Sequence, residues 1–179
     1  MELYLCPDIS KREDAYALLA YGIRRRWGLE QLPELARSEQ GKPHFPAYPN
    51  CHFNLSHSGS FALCALDDQN VGVDIEVIRP HHPNLAKRIC SSVELAWLEE
   101  QDDSRSALCR LWTRKEALVK YRGTGLTVPL REICVPLAGK GESGGLLFHS
   151  IVTQEWCACV CGHSAPAQVI TVSLEEISP

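Results

Sequence analysis

The chain has 179 residues, 45% hydrophobic and 22% charged, with a formal net charge of -4 and a pI near 6.0. That balance excludes a disordered chain and suits one compact unit, or two small lobes, with a sizeable core. It also argues against nucleic acid as the main partner, since neutralising phosphates takes a basic surplus.

Glu2 to Leu5 reads as a short edge strand stopped by Pro7. Acidic Glu2 and Asp8 flank it, so no signal peptide is legible, and no apolar run approaches the ~20 residues of a spanning helix. Ser10 with Glu13 forms a capping-box pattern ahead of a helix to Trp27, which Gly28 is placed to end. Four prolines between Glu30 and Asn50 make that stretch largely loop. Strands are expected over His52–Leu55, Phe61–Leu66 and Val71–Val77, with Asp67-Asp68-Gln69-Asn70 as a hairpin connection between the last two. Pro83 suits the first turn of a short helix to Cys90. Ser91 with Glu94 repeats the capping box for a helix to about Gln101, and a third helix covers Ser104 to Arg122 with Gly123 as its stop. Strands over Glu132–Pro136, Leu146–Val152, Glu155–Cys161 and Gln168–Leu174 follow, with Gly139 to Gly145 as a loop. The class is α+β, and a boundary between lobes is expected just after Glu76, giving halves 1–76 and 77–179.

The nine cysteines are odd in number, lack a compact disulfide spacing and sit mostly in apolar runs, where a free thiol behaves as a small hydrophobe. A reducing compartment, hence the cytoplasm, is expected. Cys157, Cys159 and Cys161 would share one strand face with His163 nearby, which admits a thiol–metal reading; the cramped spacing is unlike a zinc knuckle, and core thiols are preferred. Basic residues gather at Arg24–Arg26 and again at Arg114, Lys115, Lys120 and Arg122, where they could serve an anionic ligand. For the first group a solvated helix face is the preferred reading.

Three segments carry chemistry. In Val71-Gly72-Val73-Asp74-Ile75-Glu76 the alternation of a strand puts Asp74 and Glu76 on one face and Val73 and Ile75 on the other. Adjacent like charges repel, and a divalent cation relieves the repulsion; oxygen ligands without thiol or imidazole favour Mg²⁺ over Zn²⁺. A solvent-facing acidic pair explains the segment equally well. In Trp112 to Lys120, residues Trp112, Glu116 and Lys120 share one helix side, and Lys115 points ~100° away from Glu116. Taken alone, that is an amphipathic helix with a surface ion pair. Phe53-Asn54-Leu55-Ser56-His57-Ser58-Gly59 sets hydroxyls, an imidazole and a glycine at a strand end, which suits phosphate contact. A serine hydrolase is excluded, because Ser56 and His57 are adjacent and no nucleophile elbow is present.

Gly41-Lys42-Pro43, Phe53 to Gly59, Val71 to Glu76, Trp112 to Ala117 and Gly123-Thr124-Gly125-Leu126, in that order, resemble the surfactin-synthetase-activating (Sfp-like) type of 4′-phosphopantetheinyl transferase. The resemblance covers about Gly41 to Leu130. It implies two similar α+β halves related by a pseudo-twofold axis, with coenzyme A in the cleft between them. It further implies Mg²⁺ held by Asp74, Glu76 and Glu116, and Lys115 beside the pyrophosphate assisting the leaving group. Ser56 and His57 would touch phosphates, Lys42 would approach the nucleotide end, and Lys120 would hold the phosphate chain.

The implied reaction transfers the phosphopantetheine arm to a serine of an apo acyl or peptidyl carrier protein and releases 3′,5′-ADP. Glu116, or Glu76 through water, would take the serine proton. A monomer without membrane or nucleic-acid partners is expected. Longer relatives carry a basic segment with an arginine before the first helix; here the aligned position is Ala17, leaving the 3′-phosphate without that anchor unless Arg24–Arg26 compensate. A CoA- or carrier-binding relative without catalysis is the alternative.

Overall fold

A computed structural model describes residues 1–80, 84–125, 127–137 and 140–177. Pro83, Leu126 and Gly139, named in the expectations above, lie outside the described residues. The elements in chain order are β1 (Glu2–Cys6), α1 (Glu13–Trp27), β2 (Ala36–Arg37), β3 (Pro43–His44), β4 (His52–Ser58), β5 (Phe61–Asp67) and β6 (Val71–Val77). Then come α2 (Leu85–Ile89), α3 (Ser92–Glu99), α4 (Ser104–Arg122), β7 (Lys140–Ser143), β8 (Leu146–Val152), β9 (Trp156–Gly162), β10 (Val169–Thr171) and α5 (Leu174–Ile177).

The strands form two four-stranded sheets, ordered β10-β1-β5-β4 and β6-β9-β8-β7, and a small β2-β3 ribbon. Leu3, Leu5, Leu63 and Ala65 of the first sheet meet Val71, Val73, Ile75, Ala158 and Val160 of the second in a shared apolar cluster. The outer face of the first sheet is covered by α1 through Leu18, Leu19 and Ile23, and that of the second by α4 through Leu108, Leu111 and Leu118. Burying apolar area on both faces of each sheet is what stabilises an α–β–β–α stack. No described helix is long and apolar enough to cross a membrane.

Several expectations are corrected. β1 is an interior strand, flanked by β5 and, in parallel, by β10. Asp67 to Asn70 is not a hairpin turn: the chain leaves the first sheet after β5, and β6 spends its ladder on β9, from Val71 opposite Gly162 to Val77 opposite Trp156. The sheets therefore divide at residues 68–70, before the expected cut after Glu76, and β10 returns the chain to the first sheet. The hairpin is β4–β5, turning at Gly59 with φ +58°, so Ser56, His57 and Ser58 belong to the strand itself.

Glu132–Pro136 is not a strand either: a 3-10 turn at Leu130–Glu132 leads into irregular chain that buries Ile133 and Val135. Residues expected as a loop form β7, paired with β8, where Gly141 leaves room for the Pro136 ring. The C-terminal strand is short, and Leu174 opens α5. At α1 no capping box forms. The helix starts at Glu13 behind Arg12, and the Asp14 carboxylate accepts instead from the amides of Ser10 and Lys11 at 2.8 and 3.1 Å. The capping box at Ser91 and Glu94 is present as expected.

The open edge of β6 faces β4, where side chains replace a backbone ladder. Asn54 Oδ1, Ser56 Oγ and Ser58 Oγ accept from the backbone amides of Val73, Ile75 and Val77 at 2.8, 3.3 and 3.2 Å. Edge amides that would otherwise be buried unpaired are thereby satisfied.

On the other face of β6, α4 approaches over Gly72. A Cβ there would lie 2.0 Å from the Ala117 carbonyl oxygen and 2.5 Å from the Tyr121 nitrogen. Gly72→Ala is therefore expected to destabilise the fold by about 3 kcal/mol, the upper part of the overpacking range, because the obstacle is helix backbone. A urea midpoint unchanged by this substitution would show that α4 does not sit against β6.

Candidate active site

Alternation along β6 places Gly72, Asp74 and Glu76 on the face covered by α4, opposite Val71, Val73 and Ile75. The i, i+4 spacing along α4 brings Trp112, Glu116 and Lys120 to the same side. These two edges, the floor of β4 at Asn54 to His57, the start of α1 and the loop around Gly41 line one cavity of about 500 Å³.

Asp74 is the electrostatic centre of this cavity. Its Oδ1 accepts from Lys120 Nζ at 2.7 Å and from Ser56 Oγ at 2.8 Å, and Lys120 also donates to Ser56 at 2.8 Å. Its Oδ2 is buried and has no hydrogen-bond partner among the described residues. Burial pushes the Asp74 carboxyl above the usual range and Glu76 adds to the rise, against the pull of Lys120. Glu116 is raised likewise, by burial first and then by Asp74 and Glu76. Ser58 holds Glu76, donating to Oε2 at 2.6 Å.

The donor set suits a hard divalent cation: three mutually repelling carboxylates, one with a buried oxygen lacking a partner. Among the described residues, no three His, Cys, Asp or Glu side chains are drawn together as a ready-made metal site. Lys120 supplies the positive charge beside Asp74 instead.

Of the residues singled out in the sequence, Lys42, Ser56, His57, Asp74, Glu76, Glu116 and Lys120 line this cavity, whereas Lys115 does not. Lys115 is fully buried; its ammonium donates to Glu94 Oε2 at 2.6 Å and to the carbonyls of Ile89 and Leu130, both at 2.8 Å. The reason is helical phase: one residue before Glu116 on α4 faces α2, α3 and the 3-10 turn. Lys115 is thus a tie between α4, α3 and the segments at Ile89 and Leu130, and does not line the cavity. Arg114 is equally buried and donates to Ser150 Oγ at 2.9 Å and to the Pro136 carbonyl.

Lys42 lines the cavity. Its ammonium is engaged by Asn70 Oδ1 at 2.6 Å, the Val71 carbonyl at 3.0 Å and the Tyr121 carbonyl at 3.1 Å. Burial pulls its pKa down to about 8. Arg24–Arg26 do not line the cavity; Arg26 pairs with Glu2 at 3.1 Å and Asp68 at 2.9 Å.

Sequence reading missed Asn54 and Ser58, although their spacing with Ser56 is the period-2 pattern of one strand face. It also missed Arg12 and Arg37, which line the cavity and carry no motif. The thiol–metal reading finds no support among the described residues. Cys157 and Cys161 point to the α4 backbone at Ser106 and Ala117, and His163 is hydrogen-bonded to the Tyr121 hydroxyl at 2.9 Å.

Comparison with known proteins gives the class. Residues 70–171 match the family model of the 4′-phosphopantetheinyl transferase superfamily. The chain belongs to that superfamily and is a transferase enzyme of its class. Among individual relatives, it is 34% identical to the 4′-phosphopantetheinyl transferase Sfp of Bacillus subtilis (strain 168), over 96% of this chain and 86% of that protein. It is 40% identical to another Bacillus subtilis 4′-phosphopantetheinyl transferase over 76% of this chain and 65% of the relative. It is also 49% identical to the 4′-phosphopantetheinyl transferase AcpT of Salmonella typhi over 53% of this chain and 52% of that protein.

Proposed function

We propose that this chain transfers the 4′-phosphopantetheine group of coenzyme A to a serine of an apo acyl or peptidyl carrier protein, in the presence of Mg²⁺, releasing 3′,5′-ADP. The observation that carries the reading is Asp74, buried with an unpartnered Oδ2 beside Glu76 and Glu116, in a cavity that presents cationic groups as well. Superfamily membership supports the transferase chemistry and the use of coenzyme A.

Asp74, Glu76 and Glu116 are the residues that would hold Mg²⁺. When bound, the ion supplies charge neutralisation at the diphosphate and its departing oxygen. Lys120 takes over the role expected of Lys115. Its ammonium already lies in the cavity and its side chain is 28% exposed, free to turn from Asp74 to a phosphate oxygen. In the reaction the serine oxygen forms a bond to the β-phosphorus while the bond to the oxygen of 3′,5′-ADP breaks. The serine proton passes to Glu116, or to Glu76 through a water, both of which line the cavity. His57, exposed on the cavity wall, is placed for a phosphate contact. The two sheets with their helices act as the two lobes, and one chain completes the cavity, so a monomer in the cytoplasm suffices.

The test is direct. The protein is incubated with coenzyme A, Mg²⁺ and a panel of apo carrier proteins, and the products are weighed. A gain of one phosphopantetheine on the carrier, dependent on Mg²⁺, is the expected result. Binding of coenzyme A without mass gain on any carrier would instead establish a non-catalytic relative.

A further inference from the structure

The three side chains of β4 that meet the edge of β6 do not all have the same chemistry. Asn54 accepts the Val73 amide through a carbonyl oxygen, and the residue before Val73 is Gly72, which has no side chain to hold. Ser56 accepts the Ile75 amide at 3.3 Å and donates to Oδ1 of Asp74, the residue before Ile75, at 2.8 Å. Ser58 repeats the pattern two residues on. It accepts the Val77 amide at 3.2 Å and donates to Oε2 of Glu76, the residue before Val77, at 2.6 Å.

Pairing an edge amide takes only an acceptor, as Asn54 demonstrates. A hydroxyl accepts and also carries one proton to give. Hydroxyls stand at the two rungs where a carboxylate precedes the paired amide, so they do a second job there. For Asp74 that job is shared, because Lys120 donates to the same Oδ1 at 2.7 Å. At Glu76 the donor is Ser58. The Glu76 backbone is already fixed in the ladder opposite Cys157, so the torsions of its long side chain are the freedom that Ser58 restrains.

Resting on the Mg²⁺ reading above, we infer that Ser58 is a positioning residue: oriented by the Val77 amide, its hydroxyl fixes the Glu76 carboxylate for the divalent cation. A carboxylate offers about four acceptor sites, so one bond to Oε2 leaves capacity for an ion. Ordering a glutamate side chain costs free energy, and a bond made before the ion arrives removes part of that cost from binding. Ser58 lies on β4 of the first sheet and Glu76 on β6 of the second. The cation site is thereby tied to the junction of the two lobes, and lobes drawn apart at β4 would release this carboxylate.

The experiment compares wild type with Ser58→Ala, Ser58→Thr, Glu76→Gln and the Ser58→Ala, Glu76→Gln double variant. Mn²⁺, which takes oxygen ligands as Mg²⁺ does, is titrated into each protein with coenzyme A present and no carrier. Binding is read from the loss of the free-ion paramagnetic resonance signal, and transfer is then followed against Mg²⁺ concentration. Ser58→Ala is expected to weaken Mn²⁺ binding about 10- to 100-fold, the range for a partner that orients a metal ligand. The Mg²⁺ needed for half-maximal transfer should rise in step, with kcat at saturating Mg²⁺ held within about threefold. Ser58→Thr, which keeps the hydroxyl, should restore most of the affinity. In the Glu76→Gln background, Ser58→Ala should weaken binding no further, because the group it acts through has gone. Mn²⁺ affinity unchanged by Ser58→Ala, or lowered equally in both backgrounds, would reduce Ser58 to a partner of the Val77 amide and overturn the inference alone. Wild type that binds no Mn²⁺ would overturn the Mg²⁺ reading and the inference together.

Discussion

Asp74→Asn is expected to abolish transfer while making the protein slightly more stable. The substitution removes the charge of one of three carboxylates that repel one another in a buried setting. A neutral amide is cheaper to bury than a carboxylate, a relief of about 1–3 kcal/mol here. Against this stands the weakened bond to Lys120, whose partly exposed ammonium can turn to water at little loss. The net gain is about 1 kcal/mol, or about 2–4 °C in Tm for a chain of this size. Activity should fall about a thousandfold or more, the scale seen when a group that manages transition-state charge is deleted. Opposite signs in stability and activity mark a side chain kept for function. If Asp74→Asn lost stability and kept turnover, Asp74 would be a structural partner of Lys120 and the cation site would have to be sought elsewhere.

Lys115→Met is expected to behave in the contrary way, as a folding defect. It strands the Glu94 carboxylate, 4% exposed, without its cation, and it frees the carbonyls of Ile89 and Leu130. Removing one partner of a buried ion pair costs about 3–5 kcal/mol, so Tm should drop by roughly 10 °C or more. Adding Glu94→Gln, which keeps the acceptor for the Ser91 amide while removing the stranded charge, should restore at least half of the loss. A thermal melt of the single and double variants decides the matter. An unchanged Tm with a selective fall in kcat would return Lys115 to the leaving group.

The two lysines of one helix show how far the sequence was legible. The interval from Trp112 through Glu116 to Lys120 places three side chains on one flank of α4, and period-2 alternation does the same for Asp74 and Glu76 on β6. Those assignments needed only the geometry of a helix and a strand. They also brought every expected carboxylate to one cavity. Lys115 was misjudged because adjacency in sequence says nothing about which neighbour a helix flank meets. That Asn70 and Tyr121 engage the Lys42 ammonium was not legible either, because both are far from it along the chain.

The same division holds for the fold. Local chemistry determined that Ser91 and Glu94 would cap α3, that α4 would run from Ser104 to Arg122, and that β6 would span Val71 to Val77. It did so because capping, helical periodicity and strand alternation act over a few residues. Only the tertiary structure decided that β4 and β6 meet through Asn54, Ser56 and Ser58, that β10 returns to the first sheet, and that Arg12 and Arg37 line the cavity. Those arrangements follow from burying the two sheets against each other, a non-local gain that no short window of residues encodes.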